Sequence, residues 1–182
     1  MNRMCVFGRD IVCVIVLIFS PALFAGEFPQ IRYQSKDSFI KGVFEEEPKW
    51  KMIRLTSALK KSSKAILGHR YKGGRIRYWT GDGKTAWIID EIGKEMPITI
   101  GVSVENGVVN SLSILVYREE RGGEVYQSWF TNQFLGKRYQ SDQRLVDRID
   151  GITGATLSVA AVSKVVELVL MLDSHVGAID EK

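Results

Sequence analysis

Near the C-terminal end, Asp150-Gly151-Ile152-Thr153-Gly154-Ala155-Thr156-Leu157-Ser158 places hydroxyls on either side of a Gly-Ala pair, with an aspartate upstream. Gly154 and Ala155 carry almost no side chain, so their backbone amides can approach a bulky anion closely. An apolar, helix-like run begins directly afterwards. The start of that helix adds unpaired N–H groups and a partial positive charge, which together favour phosphate. The stretch therefore has the makings of a phosphate site with a hydroxyl set inside it, Ser158 being a further donor one step into the helix. The alternative is local: Thr153 or Thr156 caps the last helix, and the glycine serves a tight turn.

The spacing Asp150, Thr153, Gly154, Ala155, Thr156 resembles the flavinylation motif of FMN-binding domains. Such domains occur in the G subunit of the Rnf complex and in the C subunit of the sodium-pumping NADH:quinone oxidoreductase. Others form the sensory half of nitrous-oxide regulators and small exported flavoproteins. Trp87–Lys94 followed by a strand, Tyr117-Arg118-Glu119 before a glycine-containing loop, Trp129, and Gln133 to Lys137 also look like this family. The resemblance is weakest before about Lys49. It implies FMN held covalently, its phosphate esterified to Thr156 by a separate flavin transferase. It also implies that Asp150 binds the metal ion the transferase uses, although an aspartate there could simply cap the turn.

The elements that must position this loop follow from the rest of the chain. At 182 residues, 45% hydrophobic and 25% charged, the protein is long enough for a real core and has ordinary globular composition. Residues 1–25 have a basic start, a short apolar centre and Ala25 at the end, the pattern of a secretory signal peptide cleaved after Ala25. The alternative is an uncleaved anchor, but the run is shorter than the ~20 apolar residues of a spanning helix and contains Pro21. Both cysteines, Cys5 and Cys13, fall inside it, so the exported chain has no disulfide or thiolate metal site. His69 and His175 stand far apart. Any electron traffic must then use an organic cofactor.

Residues 26–48 form a lead-in, with Asp37-Ser38 able to cap a short helix through Phe44. The domain expected to bind FMN spans 49–176, and 177–182 is a frayed tail. Lys49–Leu55 is expected as a strand, and Thr56 caps a helix to about Leu67 that Gly68 stops. Arg75–Thr80 and Lys84–Asp90 flank a Gly-Asp-Gly turn, and Asn106-Gly107 joins Ile98–Val104 to Val108–Tyr117. In the last strand, alternation puts Leu112, Ile114 and Val116 on one face. Ser111, Ser113, Leu115 and Tyr117 take the other, which is either exposed or lines a flat ligand. Val125–Leu135 is expected to be helical. Leu157–Leu172 is apolar nearly all round and must lie buried. The sum is a single α+β domain: a twisted antiparallel sheet, packed helices, a buried C-terminal helix, and the motif loop at one edge.

FMN would need aromatic or apolar walls for its ring and donors for its phosphate. Tyr117, Trp129, Phe134, Trp87 and Leu157 are candidates for the ring, each equally able to be core. Lys94 is a candidate for charge balance. The basic, aromatic run from His69 to Trp79 is expected to be a solvated sheet face and not a nucleic-acid site. The expected role is electron transfer outside the cytoplasm, in the periplasm or at the outer face of the inner membrane. Membrane or haem-protein redox partners are expected. Two other readings stay open: an FMN-dependent reductase of a small molecule, and a cofactor-free exported binding domain of the same fold.

Overall fold

The computed structural model describes residues 30–140 and 144–180; the expected signal peptide lies outside them. Six strands form one sheet in the order β1-β6-β5-β4-β3-β2 with every pairing antiparallel. They are β1 (Ile31–Arg32), β2 (Lys49–Arg54), β3 (Arg75–Gly81), β4 (Lys84–Ile92), β5 (Pro97–Glu105) and β6 (Val108–Tyr117). The helices are α1 (Lys36–Val43), α2 (Ser57–Leu67), α3 (Ser128–Thr131) and α4 (Thr156–Asp180). This is the α+β architecture expected.

The two hairpin turns at Asp82-Gly83 and Asn106-Gly107 have positive φ at both residues. That matches the right-handed twist of the flanking strands and explains why the short loops work. Helices cover both faces of the sheet. On the inner face, α2 and α4 pack over Trp87, Ile89, Ile100, Val102, Leu112 and Ile114 to form the main core. On the outer face, α1 packs Phe39, Ile40, Val43 and Phe44 against Ala86, Leu115 and Val116. The lead-in thus supplies an edge strand and the outer helix of the same sheet.

Four details differ from the expectations. Ser35, not Asp37 or Ser38, caps α1, its Oγ accepting the N–H of Ser38. The aromatic segment is not one helix: Val125, Phe130 and Phe134 all turn into the core, and a spacing of five then four does not fit one helical stripe. The chain instead takes a 3-10 turn at Gly123–Tyr126, the single turn of α3, and a second 3-10 turn at Asn132–Phe134. Helix α4 continues through Gly177 to Asp180, past the start of the expected tail. The fourth difference lies in β6. Partners run Val104↔Val109, Ser103↔Ser111, then Ile100↔Ile114 and Thr99↔Val116, which leaves Asn110 and Leu115 as bulges. Each inserted residue reverses the alternation. Leu115 and Val116 therefore both face α1, while Tyr117 faces the inner core with Ile114. On the outer face the Phe39 ring lies against Gly101, where a Cβ would come within 2.9 Å of it.

Arg144 joins α2 to α4. Its guanidinium donates to the carbonyls of Ala65 and Ile66 at the end of α2 and to the Glu167 carboxylate on α4. Among the described residues, no helix is long and apolar enough to cross a membrane.

Candidate functional site

Where α4 begins, the backbone turns sharply. The Ala155 N–H donates to the Ile152 carbonyl at 2.9 Å, and Gly154 takes a φ of 82° in the left-handed region that glycine enters without strain. The Val159 N–H closes the first helical bond, on the Ala155 carbonyl at 2.9 Å. The amides of Thr156, Leu157 and Ser158 precede that bond and have no acceptor inside the helix. Ala155 is buried and anchors the loop, whereas Thr156 is exposed and Leu157 is 53% exposed. A hydroxyl thus stands in solvent at the positive end of a 25-residue helix.

Below this rim the site is closed. Ser158 is buried, and its Oγ lies 2.9 Å from the Tyr117 hydroxyl, which donates to the Arg121 carbonyl. Tyrosine has one hydroxyl proton, so Ser158 must donate the bond between the two oxygens. Burial pushes the Tyr117 phenol up from its ordinary value, the Ser158 bond opposing it and Glu119, Glu124 and Tyr33 adding to it. The phenol stays protonated. Gly122 closes the lock: a Cβ there would meet the Tyr117 hydroxyl at 2.8 Å, Ser158 Oγ at 2.9 Å and Ala155 Cβ at 3.2 Å.

A cleft of about 520 Å³ opens between this helix start, the β4–β5 connection at Lys94–Met96, and residues Arg118–Arg121 after β6. Its volume falls in the range of small-molecule and cofactor sites. Lys94 is 68% exposed and pairs with Glu95 at 3.3 Å. Arg118 donates to the Pro97 carbonyl at 2.8 Å and to Thr99 Oγ1 at 3.1 Å. Met96 and Leu157 give the cleft apolar surface.

The structure brings Gly154, Ala155, Thr156, Leu157, Ser158 and Lys94 to one cleft. The Ser158 hydroxyl is committed to Tyr117, so at phosphate only its backbone N–H is free to serve. Asp150 and Thr153 are exposed on the approach to the loop and do not line the cleft. The Asp150 N–H donates to Gln133 Oε1 at 2.8 Å, tying the loop to the aromatic segment. Tyr117 lies in the floor and its ring belongs to the core. Trp129 is 51% exposed away from the cleft lining, its Nε1 donating to Gln127 Oε1. Trp87 and Phe134 are fully buried, Trp87 stacked on Tyr78 at 4.7 Å and Phe134 edge-on to Phe130 at 5.3 Å.

Sequence reasoning missed Met96, Glu119, Glu120 and Arg121, which also border the cleft. The available signal was the charged, glycine-containing loop after β6, but nothing in its spacing says which earlier turn it meets. Among the described residues, no group of three or more His, Cys, Asp or Glu side chains could hold a metal ion.

The donor set fits a phosphorylated, partly apolar ligand: helix-start amides and Lys94 for an anion, Met96 and Leu157 for a planar apolar group. Residues 93–171 match the FMN-binding domain family. That interval begins at the β4–β5 connection and ends inside α4, so it contains every residue lining the cleft. No curated protein matches the chain.

Proposed function

We propose, from the match of residues 93–171 to the FMN-binding domain family, that the protein is an exported electron-transfer flavoprotein carrying FMN as a phosphoester on Thr156. The observation that carries this reading is the Thr156 hydroxyl, exposed at the start of α4 beside amides with no helical acceptor. Thr153 is also exposed but lies within the turn, ahead of the helix start, and Ser158 is buried with its proton engaged. Thr156 is the hydroxyl that combines access with the helix start.

The flavin, when bound, supplies one- and two-electron chemistry. The chain's own part is to hold and surround it. Amides of Thr156, Leu157 and Ser158 neutralise phosphate, Lys94 adds a mobile positive charge, and Leu157 with Met96 offers apolar contact. A covalent tether abolishes cofactor loss, which matters outside the cytoplasm where free FMN is scarce. The lining has no histidine, and its Lys94–Glu95 pair is a solvent-exposed surface pair at 3.3 Å, which favours a carrier over a reductase with its own substrate. The partners in this reading are a flavin transferase for maturation, then membrane or haem-protein redox partners. Export rests on the N-terminal pattern of residues 1–25.

The test is expression of the full chain in cells with a flavin transferase. The denatured protein should run as a fluorescent band with the mass of added FMN less water, and Thr156→Ala should run dark at the bare chain mass. A native chain at its bare mass in such cells overturns the reading.

A further inference from the structure

The β4–β5 connection has an unusual acceptor. The backbone N–H groups of Lys94, Glu95 and Met96 all donate to one oxygen, Glu119 Oε1, at 2.5, 3.1 and 3.3 Å. That oxygen comes from just beyond β6. Three successive amides of a connection this tight would otherwise turn to water, and their convergence on one carboxylate fixes the backbone from Gly93 to Met96. Gly93 is the other half of the device: a Cβ there would stand 2.5 Å from the same oxygen and 3.1 Å from Ile98 Cδ1. Arg118, the preceding residue, turns back on the same hairpin and binds the Pro97 carbonyl. Two consecutive side chains after β6 therefore hold one tip, Glu119 by its amides and Arg118 by its carbonyl.

The tip needs them. Lys94 and Glu95 are largely exposed, and their mutual ion pair is a surface pair that holds nothing in place. We propose that Glu119 is a positioning residue of the cofactor cleft, holding Lys94 and Met96 across from Thr156 by accepting the three amides of the β4–β5 tip. The role assigned to the clamp rests on the reading that this cleft receives FMN.

Glu119→Ala and Glu119→Gln separate the clamp from the charge, because the glutamine side-chain oxygen still accepts N–H bonds. In the FMN-free full chain, amide hydrogen exchange at Lys94, Glu95 and Met96 should quicken about tenfold or more in Glu119→Ala and stay within about threefold of native in Glu119→Gln. With a flavin transferase, the initial loading rate should fall about fivefold or more in the alanine variant and be retained in the glutamine variant. Circular dichroism in the visible flavin band, which reports the walls around the ring, should change only in the alanine variant. If Glu119→Ala does not fold, Gly93→Ala displaces the carboxylate from the other side and should speed exchange at the same amides.

Native exchange and loading in Glu119→Ala would overturn the proposal. So would a Glu119→Gln variant as defective as alanine, since the bond geometry alone would then not suffice. The exchange measurement judges the clamp without any flavin. A native chain that shows a clamped tip yet never loads would instead overturn the functional reading, and with it the role given to Glu119.

Discussion

The floor and the rim of the cleft are built from neighbouring residues on opposite terms. In the floor, Tyr117, Arg121, Gly122 and Ser158 are packed so closely that the hydroxyl protons have assigned acceptors and a methyl group has no room. On the rim, Gly154 would meet nothing within 4 Å if it carried a Cβ, and Thr156 two residues on is exposed. The two hydroxyls of one helical turn are thereby divided: Ser158 serves the fold, and Thr156 is the one that the proposed function assigns to the cofactor. The proposed attachment position lies where the fold depends on it least, so changes there should affect loading far more than stability.

The largest break in this contrast should come from Gly122→Ala. The added carbon collides with two hydroxyl oxygens and Ala155, at a φ of 86° that side chains rarely adopt. Overpacking, strain and lost hydrogen bonds together should cost about 3 kcal/mol in urea unfolding. Loading should fall as well, because the start of α4 must shift. A stability within about 0.5 kcal/mol of native would show the floor to be looser than its distances imply.

Tyr117→Phe removes the shared hydroxyl, leaving the buried Ser158 hydroxyl without its acceptor and the Arg121 carbonyl, on an exposed residue, without its donor. The expected cost is about 2 kcal/mol, with Thr156 still able to accept the cofactor. Gly154→Val inverts that profile. It meets no neighbour, so the cost is left-handed strain of about 1 kcal/mol, while the reshaped turn should prevent loading. Should Gly154→Val load fully, or Tyr117→Phe fail to load while remaining folded, the division between rim and floor would be wrong.

The rim was legible in sequence because its features are local: a glycine for the turn, a small residue after it, a hydroxyl at the helix start. The hairpins were legible for the same reason, Asp82-Gly83 and Asn106-Gly107 being short-range signals. The floor was not. Tyr117 reaches α4 because the bulge at Leu115 reverses the facing of the end of β6, and simple alternation turned it the wrong way. Glu119 meets Lys94, Glu95 and Met96 through bonds spanning 23 to 25 residues, with no local pattern to announce them. The exposed Trp129 shows the converse hazard, since an aromatic near the motif in sequence need not line the cleft.

A third region asks how far the tip is insulated from the strand that carries it. Glu91 is two residues before Gly93, is 5% exposed, and lies 2.8 Å from His69 Nε2. The Glu91 hydrogen bond is the largest cause raising the His69 pKa above its ordinary 6.5; the Arg70 carbonyl also raises it, while burial and Lys164 oppose. A histidine whose pKa is higher when folded contributes stability that is fully present below its unfolded value and is lost as pH rises through the folded one. Unfolding free energy should therefore decline as pH rises past the ordinary 6.5 and through the raised folded value. His69 is 49% exposed, so solvent screening keeps the change under about 1 kcal/mol. His69→Asn should flatten the decline. If the flavin loading rate and exchange at Lys94–Met96 are unchanged across that pH range, the Glu119 clamp isolates the tip from β4. If both follow the His69 titration, the strand transmits its charge state to the cleft, and the rim depends on more of the fold than its exposure suggests.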